Sequence, residues 1–97
     1  MGDQYGTVAK LRVKPGHLEE VLKVQEERHW AKGAVAWYHY QMDDDPNELY
    51  VAAVFKDKAS YLDNANRPES HQEYLKLLEH LESDPEWHDG KIVLTRT

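Results

Sequence analysis

Apolar and polar positions alternate along residues 5–13, where Tyr5, Thr7, Ala9, Leu11 and Val13 interleave with Gly6, Val8, Lys10 and Arg12. A period of two places each set on its own face, so the stretch is predicted as a half-buried strand. Lys14-Pro-Gly-His17 breaks the alternation. Leu18, Val21 and Leu22 then recur at helical spacing, with acids at the start of the segment and Arg28 and His29 near its end, the charge order a helix dipole favours. Gly33 is expected to close this helix. Residues 34–42 and 48–55 are apolar, aromatic-rich runs separated by Asp43-Asp-Asp-Pro-Asn47, whose residue types build hairpin turns. With Met42 opposite Glu48, one face of the hairpin carries Trp37, His39, Leu49, Val51, Ala53 and Phe55. The other carries Tyr38, Tyr40, Tyr50, Ala52 and Val54.

Asp57 reads as the N-cap of a short helix through Ala65. A longer helix follows, with His71, Tyr74, Leu75, Leu78 and Leu81 on one stripe, and Asp84-Pro85 ends it. Residues 88–97 are expected to form a last strand with Ile92 and Leu94 on one side and Val93 on the other. The order β-α-β-β-α-β defines an α+β, ferredoxin-like fold, a four-stranded antiparallel sheet with its helices on one face. No repeat or linker interrupts residues 1–97, which read as a single domain. Both hairpin faces are apolar, and the helices can cover only one. The sheet of a second subunit is the expected cover for the other, giving a homodimer.

Composition narrows the partners. A chain of 97 residues buries only about two-thirds of its unfolded surface, which favours association. A formal charge of -6, with the 12 Lys and Arg residues scattered along the chain, argues against nucleic acid. The absence of cysteine excludes disulfides, thiolate zinc sites and cysteine nucleophiles, and suits the reducing cytoplasm. No apolar run approaches the roughly 20 residues of a membrane span, and the start lacks the apolar stretch of a secretory signal. A cytoplasmic chain without a membrane partner is expected. The six histidines show no HxxxH or HExxH spacing, and Asp43-Asp44-Asp45 lacks the pattern of a calcium loop, so no metal is expected.

Candidate chemistry gathers in Asp63-Asn-Ala-Asn-Arg-Pro-Glu-Ser-His-Gln-Glu-Tyr74. Asn66, with Pro68 and Glu69 after it, reads as a helix N-cap with a capping box. Its amide is also free to donate a hydrogen bond to a ligand. His71 heads the apolar stripe, which suits either a satisfied core histidine or a proton acceptor at the edge of a pocket.

Gly33, Trp37, Asp45-Pro46, Leu49, Ala53 and Phe55, followed by Asn66-x4-His71, resemble the antibiotic biosynthesis monooxygenase family of dimeric α/β barrels. The family's hairpin has a glycine, an aromatic four residues on, an Asp-Pro turn and a strand ending Glu-x-Trp, and its next helical segment often carries His-x4-His. Ala53 and Phe55 stand here for the Glu and Trp, and Asn66 for the first His. The resemblance implies oxidation of electron-rich phenols or quinols by O₂ without metal or flavin. A deprotonated substrate is then the reductant, and the protein supplies a dry pocket, a base and donors for the developing oxyanion. By the same resemblance His71 is the base and Asn66 a donor, Trp37, His39 and Phe55 form the pocket wall, and Tyr61 and Tyr74 its rim. No cofactor is expected, and the partner is a small aromatic molecule. The positions used by haem-degrading members align with Ala9, Asn66 and Lys76, none of which matches. The alternative is a non-catalytic homodimer of the same fold that binds a small ligand or serves a structural role.

Overall fold

The computed structural model describes residues 3–97. Its elements are β1 (Tyr5–Arg12), α1 (Leu18–Glu26), β2 (Ala34–Gln41), β3 (Glu48–Phe55), α2 (Lys58–Ala65), α3 (Pro68–Leu78) and β4 (Glu86–Lys91). The strands form one antiparallel sheet in the order β2-β3-β1-β4. This is the ferredoxin-like arrangement expected, and the hairpin has the expected register, with the Met42 N–H donating to the Glu48 carbonyl at 3.0 Å.

Register then dictates which side chains meet on the helix-covered face. One row across the sheet reads Trp37, Ala53, Thr7, Asp89, and the next reads His39, Val51, Ala9, Trp87. Leu11 and Leu49 are opposite each other a further step along. The core collects at this leucine end, where Leu11, Val13 and Leu49 pack with Val21 of α1 and Leu77 of α3. At the other end the small side chains of Ala53, Thr7 and Ala9 leave the helices standing off the sheet.

Asp57 caps α2 as expected, its carboxylate accepting the Ser60 N–H at 2.8 Å. Other expectations are corrected. Helix α1 stops at Glu26, well before Gly33. Gly33 instead opens β2: its φ is +90°, its carbonyl accepts the Lys56 N–H at 2.8 Å, and a Cβ there would meet the Ser60 side chain at 2.6 Å. Asn66 is the C-cap of α2 and not the N-cap of α3. Pro68 forces the residue before it out of helical geometry, so Arg67 (φ -65°, ψ 134°) takes the N-cap position, without a side-chain bond.

The buried stripe of α3 is also turned from the expected one. Ser70 and Leu77 face inward, whereas His71 is exposed and Leu75 is 42% exposed. The Ser70 hydroxyl donates to the Asn64 carbonyl at 2.6 Å and so fixes the rotation of the helix against the end of α2. The last strand lies earlier than expected, because Lys91 is already opposite Tyr5, the first residue of β1. Beyond one further bond, Ile92 N–H to the Gln4 carbonyl at 2.9 Å, no neighbour strand continues among the described residues. Val93 and Leu94 are left 86% and 77% exposed. Among the described residues no helix is long and apolar enough to cross a membrane.

The corrected stripe has a stability signature. Leu77→Ala is expected to cost about 2–5 kcal/mol in urea unfolding, as for other fully buried leucines, and Leu75→Ala about 0.5 kcal/mol or less. A reversed ranking would contradict the helix rotation described.

Candidate functional site

The gap between the sheet and the helices is a cavity of about 460 Å³, within the range of small-molecule sites. Ala53, Thr7 and Ala9 form its floor, and Trp37, Phe55, Tyr61, Tyr74 and Trp87 its aromatic walls. The aromatic rings support one another. Phe55 and Tyr61 meet edge to face at 5.5 Å, Tyr5 and Tyr61 lie 5.4 Å apart, and Tyr74 and Trp87 lie 6.3 Å apart.

Polar groups enter from opposite edges of the sheet. On the β4 side the Tyr61 hydroxyl donates to the Asp89 carboxylate at 2.8 Å. Burial first, and the bond to Asp89 second, push the Tyr61 phenol up to about 12, so it stays protonated. The Thr7 hydroxyl, close enough to Tyr61 to favour its phenolate slightly, completes no hydrogen bond of its own although it is buried in the floor.

On the β2 side, Gln25 is buried, with its amide nitrogen 3.1 Å from His39 Nε2. Burial, and then the nearby Arg28 charge, hold His39 below its usual range, so the ring is neutral and its Nε2 accepts from the Gln25 amide. That orientation turns the Gln25 carbonyl to Arg28, whose Nη1 donates to it at 3.4 Å. The Arg28 guanidinium sits over the Trp37 ring, 5.4 Å from its centroid. Burial pulls its pKa down, Glu73 opposes this, and Arg67 adds to it. The partner carboxylate, Glu73, has Oε1 4.0 Å from Arg28 Nε and 3.7 Å from Arg67, while its Oε2 accepts the His29 N–H at 2.8 Å.

Of the residues singled out from the sequence, Trp37, Phe55, Tyr61, His71 and Tyr74 line the cavity. His71 is exposed as well, so it sits where the cavity opens to solvent. His39 lies behind Trp37, 4.9 Å between ring centroids, and is taken up by Gln25 without lining the cavity. Asn66 is exposed and outside it; the asparagine of the lining is Asn64. Sequence reading passed over Gln25, Arg28, Asn64, Glu73 and Thr7. One signal was available: Val21, Gln25 and Arg28 continue the apolar stripe of the first helix at spacings of four and three, with polar side chains where leucine would be usual. Among the described residues no group of three or more His, Asp or Glu side chains could hold a metal ion.

No family profile matches the chain, and no curated protein matches it in sequence. Solved structures do match. A proposed antibiotic biosynthesis monooxygenase from Chloroflexus aurantiacus superposes with a TM-score of 0.81 at 19% identity, over 97% of each chain. SnoaB of Streptomyces nogalater, a cofactor-independent oxygenase solved as an Asn-to-Ala variant, gives 0.80 at 18% identity, again over 97% of each. A conserved protein of Methanosarcina mazei gives 0.78 at 22% identity, over 92% of each. The chain therefore has the antibiotic biosynthesis monooxygenase fold. At these identities the likeness is one of fold.

The neutral state of His39 sets a pH dependence. Its folded pKa is depressed, so it contributes stability above the unfolded value of about 6.5 that is lost as pH falls through the lower folded value. In an NMR titration the His39 ring is expected to titrate below about 6.5, and Arg28→Met to move the midpoint upward. A midpoint at or above the unfolded value would contradict the Gln25-His39 arrangement.

Proposed function

We propose that the chain is a homodimeric, cofactor-independent monooxygenase acting on a small aromatic phenol or quinol. The observation that carries this reading is the aromatic-walled cavity with His71 at its opening. A histidine side chain at that position can act as general base and take the phenolic proton. The resulting phenolate is electron-rich and can itself reduce O₂. In a substrate whose keto form carries a ring CH₂ group, as in anthrone, one oxygen atom becomes a carbonyl in its place, the other leaves as water with the two hydrogens, and every electron comes from the substrate. A dry cavity favours this by excluding water from the reacting anion. In this reading Asn64, an asparagine of the lining, is the donor to the developing oxyanion.

The outer face of the sheet supports the dimer. Val8, Tyr38 and Tyr40 are about half exposed there, and the apolar Val93 and Leu94 lie uncovered beyond β4. A second sheet laid on this face would bury them. Light scattering is expected to give a dimer at micromolar concentration, and Tyr38→Lys with Tyr40→Glu to shift it to monomer; a wild-type monomer would remove this argument.

Turnover is tested by O₂ uptake with anthrone and 1,4-naphthohydroquinone. The wild type is expected to consume O₂ above the uncatalysed rate, and His71→Ala to lower turnover by roughly 10²- to 10⁴-fold with the fold retained. The second reading, a ligand-binding homodimer without chemistry, is favoured by Ala53 and Phe55, which leave the inner face of β3 without an acid or base. It predicts binding of the same compounds with no enzyme-dependent O₂ uptake.

A further inference from the structure

The oxygenase reading gives Arg28 no part in the proton transfer at His71 or in the donation by Asn64. The Arg28 side chain is only 16% exposed, yet it lines the cavity. A buried guanidinium is ordinarily held by short, paired bonds to a carboxylate, because an uncompensated buried charge is costly. Here the nearest carboxylate oxygen is 4.0 Å from Nε, beyond hydrogen-bond reach, and the bond to Gln25 is long at 3.4 Å. Glu73 cannot close on Arg28 alone, because its other oxygen holds the His29 N–H and it also serves Arg67. Arg67 has a further acid, Glu69, at 3.7 Å, while Arg28 has none. The group lies over the Trp37 ring and spends one donor on the Gln25 carbonyl, and among the described residues no other hydrogen bond of its side chain is formed.

We propose that the cavity binds an aromatic carboxylic acid, and that Arg28 anchors its carboxylate. This rests on the reading that a small aromatic molecule occupies the cavity. The floor gives the ligand a direction. From Trp37 on β2 to Asp89 on β4 the row crosses the small residues Ala53 and Thr7, three strand spacings or about 14 Å. A carboxylate on Arg28 at the β2 edge lays fused rings over Ala53 and Thr7. It brings a hydroxyl on the far ring toward the Tyr61 oxygen, whose proton is given to Asp89. The forked guanidinium can grip both carboxylate oxygens, so the site distinguishes an acid from its isosteric amide by charge and geometry together.

The test is calorimetric titration of the full chain with 6-hydroxy-2-naphthoate and 6-hydroxy-2-naphthamide. The wild type is expected to bind the acid at least about tenfold more tightly than the amide. Arg28→Gln should abolish that preference while changing amide affinity by no more than about twofold. Arg28→Lys, which keeps the charge and loses the fork, should fall between. Should Arg28→Gln fail to fold, the wild-type ratio and Arg28→Lys decide the matter. Equal affinity for the two probes in the wild type, or a preference that survives Arg28→Gln, overturns the anchor and leaves the aromatic cavity standing. Failure of both probes to bind at millimolar concentration overturns both. Acid-selective binding through Arg28 without O₂ uptake from any phenol supports the anchor and removes the oxygenase.

Discussion

The size of the side chains along β1 and β3 governs where this molecule is solid and where it is hollow. Antiparallel pairing sets Leu11 opposite Leu49, and one row of smaller residues, Thr7 opposite Ala53, a short distance along the same face. The helices cross a floor that is high at one end and low at the other. They contact it through Leu77 and Val21 at the leucine end and stand off it above Thr7 and Ala53. Bulky aromatics on the surrounding positions then wall the gap without filling it.

The polar groups of the cavity are arranged so that each constrains the next. A neutral His39 can accept from Gln25, which leaves the Gln25 carbonyl for Arg28, and burial, with the Arg28 charge adding to it, keeps His39 neutral. On the opposite edge, Tyr61 is kept a phenol by burial and by Asp89. The cavity thus has a cationic end and an end with a hydroxyl pair, joined by an apolar floor. Such polarity orients a ligand as well as holding it.

A shared fold does not carry a reaction with it. The shared fold accounts for the sheet and the helices laid across it. The chemistry depends on which side chains this chain has put there. The inner face of β3 has an alanine and a phenylalanine at the two positions where the resemblance expects Glu and Trp, and the titratable groups of the cavity come from the turn after α1, from α2, α3 and β4. His71, Arg28, Glu73 and Asp89 all come from elements other than the hairpin that first suggested the family.

The strands, the hairpin register and the division of the sheet into two apolar faces were legible in the sequence, because a period of two and a five-residue turn leave little choice once one face must be buried. Trp37, Phe55, Tyr61, His71 and Tyr74 became candidates through the family resemblance, and periodicity added only that Trp37 and Phe55 share one face of the hairpin. What periodicity could not reach was the rotation of α3, decided by the Ser70 bond to Asn64, and the end of β4, decided by where β1 begins. Nor could it separate Asn64 from Asn66, since Pro68 shifts the cap by one residue and leaves Asn66 outside the cavity. Arg28 shows the limit most clearly. Along the chain it is a basic residue near a helix end, as hundreds of helices have for their dipoles. Only the packing of α1 against β2 and α3 takes it out of water, seats it over Trp37 and keeps it 4.0 Å from the nearest carboxylate oxygen, because these are distances between elements far apart in the chain.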